Sequence, residues 1–382
     1  RVAVHEWDGV LIPGLVNAHT HLQYSGYRAM AASGLPFPAW IAEMMRRRER
    51  TTDDEWASAA AWGAAELLRT GTTAVADVVT DSPAVSPVRT SGLQGISYLE
   101  MIGWTSAAWE SGGREALGRR VSEAHRSGHE IGLMPHAPYT LDLDVVRDIV
   151  GTALAAGLRV HTHLAESHAE TEYVATGTGR FADGARAAGW DLALVRDGGC
   201  GLTPVGLLDD AGCLGDDVHV AHGVHVGPVD RERLRRQGVV VALCPRSNAI
   251  LQSGTPPVAD YLREGSPVAL GTDSLASSPS LDLLDEARAA AAVALDQGYD
   301  DPDLAARLLR AATAGGADAL GRRDIGRLVP GVRADLAVID VAGSPVGDLP
   351  EGVLGRDDDP ASAVLARGRV IATVLGGVVL PR

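Results

Sequence analysis

Lysine is absent from this 382-residue chain; all 34 of its cationic side chains are arginine. That excludes Schiff-base chemistry through a lysine amine, pyridoxal enzymes, a phosphate-binding loop that needs its lysine, and a carbamylated lysine bridging two metals. Cysteine is scarce: Cys200, Cys213 and Cys244 are odd in number and contain no CxxC pair. They make neither a disulfide framework nor a thiolate zinc site, and they fit a reducing cytoplasm. Aromatic residues amount to 4%, too few for a base-stacking surface. Positive charge is also short, since 34 basic against 49 acidic side chains leave a net charge of −15. Nucleic acid is therefore not an expected partner. No apolar run reaches the roughly 18–20 residues of a membrane span. The opening RVAVHEWDGVLIPG lacks the charged-then-apolar order of a secretory signal. What is present is a 46% hydrophobic chain able to bury a large core, as one large domain with a smaller appendage.

Apolar runs rich in β-branched residues fall at 15–22, 73–79, 95–102, 130–135, 159–164, 218–226, 239–244 and 267–271. They are mostly continuous rather than alternating, as strands buried on both faces of a parallel sheet should be. Between them lie helical patterns at 53–69, 114–127, 143–156, 230–237 and 281–297, with Asp142 and Asp230 placed as N-caps. Eight strands alternating with helices predict an α/β fold, a (β/α)8 TIM-like barrel. An open doubly wound sheet is the competitor, weakened because no GxGxxG follows an early strand. After a helix at 303–320 the texture becomes short β-like runs at 327–330, 334–340, 363–367 and 370–380, with a Gly/Pro/Asp-rich loop at 347–360. This predicts a small β-domain beside the barrel.

The histidines carry the chemistry. His19 and His21 stand two apart on a strand, so their imidazoles point to one side and can share a cation. His161-Thr-His163-Leu-Ala-Glu166 ends another apolar run with imidazoles and, three residues on, a carboxylate suited to proton transfer. His219-Val-Ala-His222-Gly-Val-His225 and Gly271-Thr-Asp273-Ser274 follow the same rule. A single buried histidine is more often a hydrogen-bonded core residue than a ligand. Four successive strand-end sites of ligand type are not explained that way, and they predict a metal centre.

The ordered motifs PGLVNAHTHL, GTTAVAD, PHAPYT, HLAES, HGVHV, CPRSN, GTDSLAS and GRLVPGVRADLAVID resemble the amidohydrolase superfamily, in its single-metal deaminase and chlorohydrolase-like branch. The resemblance implies a barrel over 15–322 and a small β-sandwich built from 1–14 and 323–382, with a short N-terminal contribution. It implies one divalent metal ion, zinc or else iron, on His19, His21, His163 and Asp273. Glu166 matches the general acid/base, and His222 the residue that orients the attacking water. Asp273 would also take that water's proton, and ammonia would leave from a ring carbon. His161 and His219 are expected as structural neighbours. His225 is expected either as an ordinary packing residue or as a contact behind the site or with substrate. His5, His125, His129 and His168 are expected as ordinary packing or surface residues.

For the substrate, the resemblance places His136 on a purine ring and Glu100 on ribose hydroxyls, with Gln23 and Ser274 as further contacts. Trp40, Met44 and Met45 form either a lid or a packing stripe. Ser247 and Asn248 are expected to fix the site's wall through backbone hydrogen bonds. The combination of HAPY and HLAES is similar to deaminases of adenine nucleosides modified at the 5′ end. The GLTPV segment at 201–205 and CPRSN bring 6-amino-6-deoxyfutalosine forward, converted to futalosine in menaquinone biosynthesis. S-adenosylhomocysteine, methylthioadenosine or adenosine are the alternatives, as is another aminated or halogenated heterocycle. A catalytically silent relative acting as a binding protein is a third class, disfavoured because every expected position is filled. A homodimer is the expected assembly.

Overall fold

The computed structural model describes residues 4, 6–35, 37–128, 130–344, 346 and 359–381. Eight parallel strands run in chain order: β2 (Leu15–Thr20), β3 (Thr72–Val79), β4 (Gln94–Met101), β5 (Ile131–Pro135), β6 (Val160–Leu164), β7 (Val218–His222), β8 (Val240–Leu243) and β9 (Val268–Leu270), following a short β1 (Val10–Pro13). They occupy the eight predicted positions in the predicted order. Every residue of β2, β3 and β5 to β8 is buried, which is why these strands read as continuous apolar runs.

The sheet curls into a nearly closed (β/α)8 barrel. Its outer strands β2 and β9 meet through side chains and loop backbone. Asn17 Nδ2 donates to Thr272 Oγ1 at 2.7 Å, and Asp273 N donates to His19 O at 3.0 Å. A side chain at Gly271 would run into His19, so only glycine permits this approach.

The helices Asp53–Arg69 and Arg114–Ser127 span the predicted residues, and Leu143–Ala155, Pro228–Arg236 and Leu283–Asp296 depart by a few. Thr52 and Glu55 cap the first of these reciprocally. Two expected caps are corrected. Asp142 sits at the N-cap position, but its carboxylate accepts instead from Ser106 N at 2.7 Å and Ala193 N at 2.7 Å, tying neighbouring segments together. Asp230 lies inside its helix, whose N-cap is Gly227 with Pro228 at the first position, and it accepts from Thr203 Oγ1 at 2.7 Å.

Near the C-terminus, β10 (Leu336–Asp340), β11 (Arg369–Leu375) and β12 (Val378–Val379) join β1 in a separate antiparallel sheet of order β1-β10-β11-β12. The β-like run at 363–367 is instead part of the helix Pro360–Arg367, started by Asp359 and Pro360, and 327–330 forms no strand. Arg288 bonds to Leu365 O and Gly368 O, anchoring this region to a barrel helix. Of the predicted loop at 347–360, residues 347–358 lie outside the described residues, as do His5 and His129. No described helix is long and apolar enough to cross a membrane.

Candidate active site

At the C-terminal mouth of the barrel the chain leaves its strands abruptly. Ala165, His222 and Asp273 all have positive φ, at 53°, 76° and 54°. Non-glycine residues adopt this region at a cost, and such strain concentrates at functional sites. It also explains why the apolar run at 218–226 outlasts β7, which ends at His222. The turns aim the side chains of three different segments at one point.

His19, His21 and Asp273 converge there, and His19 also groups with His163 and His222; the ligand-type atoms within each group lie within 4.8 Å of one another. His19 Nε2 and His21 Nε2 stand 3.5 and 3.6 Å from Asp273 Oδ1. His163 Nδ1 donates to His136 O at 3.0 Å, leaving its other nitrogen as a lone pair for the centre. Burial, with neighbouring imidazoles second, holds His163 well below the usual histidine range and His21 at about 4, so both rings are neutral at neutral pH. His19 Nε2 is buried without a hydrogen-bond partner. An orphaned imidazole nitrogen among two more imidazoles and a carboxylate is what a zinc-class cation requires, so the donor set fits a metal.

Asp273 is held from outside. Its Oδ2 accepts from Ser247 Oγ at 2.6 Å and Ser277 Oγ at 2.8 Å, and its Oδ1 from Ser274 N at 2.7 Å. Asn248 Nδ2 donates to His222 Nδ1 at 3.1 Å, so the proton of this imidazole resides on Nε2. His222 is then a donor toward the site, 3.9 Å from Glu166 Oε1. Ser247 and Asn248 thus act through their side chains, where backbone bonds were expected. Glu166 is pushed well above the carboxylate range by burial first, then by the charges of Asp273 and Glu170, which favours its protonated form. Glu170, unremarked in the sequence, accepts from Ala165 N at 2.9 Å and Glu166 N at 2.8 Å, bracing the turn that presents Glu166. Ser167 and Glu170 form an S-x-x-E pattern at the start of helix His168–Thr176, a signal that could have exposed it.

A cavity of about 430 Å³ opens over these groups, within the range of small-molecule sites. His21, His163, Glu166, His222 and Asp273 form its floor, and Glu100, His136 and Ser274 also line it. Glu100 Oε2 accepts from Thr80 Oγ1 at 2.5 Å, while Oε1 is buried without a partner, 3.9 Å from His136 Nε2. That free oxygen suits a hydroxyl donor. Gln23 is not among the lining residues; its amide bonds to Thr80 N, Asp81 N and Asp81 Oδ2 at 3.1–3.2 Å. Trp40, Met44 and Met45, on helix Phe37–Arg48, all border the cavity, and Trp40 Nε1 is pinned to Ala276 O at 2.9 Å. The outer wall is aromatic, with Tyr139 and Phe181 stacked at 3.9 Å and Phe37 edge-on to Phe181. His225 does not line the cavity; its Nε2 bonds to Ser253 O at 2.6 Å.

A model of the amidohydrolase family matches residues 10–380. The chain belongs to the amidohydrolase family. It is 34% identical over 342 residues to 5-methylthioadenosine/S-adenosylhomocysteine deaminase of Pelotomaculum thermopropionicum, covering 87% of this chain and 72% of that protein. Among solved structures of the family's fold, an adenosine deaminase from Xanthomonas campestris with bound zinc superposes with a TM-score of 0.76 at 27% identity, over 97% of this chain and 80% of the other. Helicobacter pylori aminofutalosine deaminase shares the fold, with a TM-score of 0.76 at 23% identity, over 98% of this chain and 87% of that one.

Proposed function

We propose that this amidohydrolase is a metal-dependent hydrolase that deaminates an adenine nucleoside substituted at its 5′ end. The observation that carries the reading is one cavity at whose floor imidazoles and Asp273 converge beside the buried carboxyl of Glu166. His19, His21, His163 and Asp273 would hold one divalent cation, zinc or else iron, which supplies a water acidic enough to act as nucleophile near neutral pH.

The remaining steps belong to the chain's own side chains. Asp273 accepts a proton from the attacking water, with Ser247 and Ser277 keeping its carboxylate in place. His222, a donor through Nε2, orients that water toward C6 of the purine. Glu166 gives its proton to N1, so negative charge does not build on the ring. From the tetrahedral C6, the proton held by Asp273 passes to the exocyclic nitrogen and ammonia leaves, while the hydroxyl proton returns to Glu166 as the 6-oxo group forms, so both carboxyls end as they began. The balance is nucleoside plus water to the 6-oxo nucleoside plus ammonia. His136 faces the ring, and Glu100 Oε1 accepts from a ribose hydroxyl.

The aromatic wall and the unpaired rim guanidinium of Arg180, which has no ion-pair partner among the described residues, favour a 5′ substituent that is bulky, apolar and acidic at its end. 6-Amino-6-deoxyfutalosine satisfies all three, and that assignment carries the menaquinone role with it. S-adenosylhomocysteine and methylthioadenosine are the competing substrates supported by the curated relatives. Ammonia release by metal-replete protein on these three, with adenosine, guanine and a chlorotriazine, tests the proposal. Turnover led by aminodeoxyfutalosine supports the full reading. Preference for the other adenosines keeps the reaction and changes the substrate. Turnover of guanine or the triazine alone refutes the nucleoside assignment.

A further inference from the structure

Below the cluster, in the closed interior of the barrel, lie two histidines that the reaction does not use. His161 on β6 and His219 on β7 are fully buried, and their rings stack at 3.9 Å between centroids, 14° from parallel. Their nitrogens make a directional circuit. His161 Nδ1 bonds to His219 O at 3.1 Å. A carbonyl can only accept, so Nδ1 carries the ring proton of His161. The ring is fully buried and stacked on a second imidazole, with no carboxylate paired to it among the described residues, so it is neutral and Nε2 is a lone pair. That lone pair lies 2.7 Å from His19 Nδ1, which must therefore be the donor. The consequence falls on the far side of the His19 ring, where Nε2 is left as a lone pair, 3.5 Å from Asp273 Oδ1. His219 Nε2 closes the circuit by donating to Ala18 O at 3.2 Å, in the peptide unit that carries His19.

We infer that His161, steadied by His219, is a positioning residue that fixes the Nε2-lone-pair tautomer of His19 and thereby its competence to bind the cation. Packing alone does not call for this arrangement. Two aliphatic side chains would fill the same layer without the cost of burying imidazoles, whereas an aliphatic residue at 161 offers no acceptor. Partners of this kind, behind a ligating histidine, typically contribute 10–100-fold in metal affinity.

The inference rests on the proposed metal site, and the experiment separates the two. Zinc affinity is measured by chelator competition on metal-stripped full-length wild type, His161→Leu and His161→Gln, with the melting temperature of each metal-free protein recorded alongside. The expected result is zinc binding weakened about 10–100-fold in the leucine variant. Affinity should be largely restored in the glutamine variant, whose amide oxygen can accept from His19. Equal affinity in the leucine and wild-type proteins overturns the inference and leaves the metal site standing. Equal loss in both variants also overturns it, because the acceptor then does not matter. Absence of zinc binding by wild type removes the metal site and the inference together. Should the leucine variant fail to fold, ¹⁵N-histidine spectra of metal-free wild type give the answer directly. The Nδ1–H tautomer at His19 supports the circuit, and the Nε2–H tautomer refutes it.

Discussion

Replacing Glu170 by glutamine separates the shape of the catalytic turn from its chemistry. The carboxylate is fully buried and accepts from two consecutive backbone amides, Ala165 N and Glu166 N. Between them they hold Ala165 at a φ of 53°, which an alanine does not choose unaided. Burial pushes Glu170 up to about 7, against the hydrogen bonds from Ala165, Glu166 and Ser167. Glutamine matches its size but can offer a carbonyl to only one of the amides, and it turns an NH2 on the other. A hydrogen bond to a charged group contributes about 1.5–3 kcal/mol, and a stranded buried donor costs about 1–3 kcal/mol. If about 2 kcal/mol of alignment is lost, at 1.36 kcal/mol per decade, kcat should fall about 10- to 100-fold. KM and bound metal should hold, because Glu170 touches neither the cavity nor the ligand cluster. The Glu170 charge also helps raise Glu166, so the alkaline limb of the rate profile should move to lower pH. Steady-state ammonia release across the pH range, with metal content by elemental analysis, reads all three quantities. An unchanged kcat with an unchanged alkaline limb would refute the bracing role.

Glu166→Gln should keep its metal and lose about 10²–10⁴ in kcat, the usual worth of a general acid; elemental analysis with a turnover assay checks both halves. His163→Ala should lower bound metal, and wild-type metal content in that variant would remove it from the ligand set. Asp77 is pushed up to about 8 by burial, opposed only by the Leu22 amide, from an ordinary 3.8. Between those values the unfolded chain releases a proton that the folded protein keeps, so stability falls as pH rises through the window. Asp77→Asn cannot ionise, and its advantage over wild type should therefore grow between pH 3.8 and pH 8 and level off above. At about 1.36 kcal/mol per unit, less about 1–3 kcal/mol for an amide left without an acceptor, the gain should reach about 3–5 kcal/mol near the top of the window. Denaturant midpoints at the two ends of the window test this, and a constant difference between the proteins would contradict it.

The barrel was legible because its strands are buried on both faces and so announce themselves as uninterrupted apolar runs. The ligand-type residues were legible because they stop those runs with imidazoles and carboxylates. The groups that support them were legible only in part: Ser247 and Asn248 stood out as wall residues but not for their side-chain bonds, and Glu170 did not stand out. Ser247, Asn248 and Glu170 act through geometry created by positive-φ turns, and no periodicity encodes a left-handed residue that is not glycine. For His161, a strand neighbour in the sequence and in the structure, sequence shows which face the side chain takes but not which nitrogen holds its proton. The helix Pro360–Arg367 was mistaken for a strand because its short apolar stretch lacks a full amphipathic period, while its start signal, Asp359-Pro360, lay in a segment read as loop. Gln23 follows the HTHL motif closely enough to suggest a substrate contact, yet the 3₁₀ turn Leu22–Met30 carries its amide away to Thr80 and Asp81.

The seam between β2 and β9 bears on how the protein comes into being. Asn17 and Thr272 are 255 positions apart, and their bond joins the first barrel strand to the last. His19 and His21 emerge early in synthesis, and Asp273 only after seven further strands have been made. Contacts of such separation carry the largest loop-closure cost and form late. The complete donor set therefore exists only in a chain whose barrel has closed, and a nascent or truncated chain ending before β9 holds an incomplete claim on the cation. Metal capture at the proposed site would then certify that folding is finished, and the free energy of binding would bear down on the seam between β2 and β9.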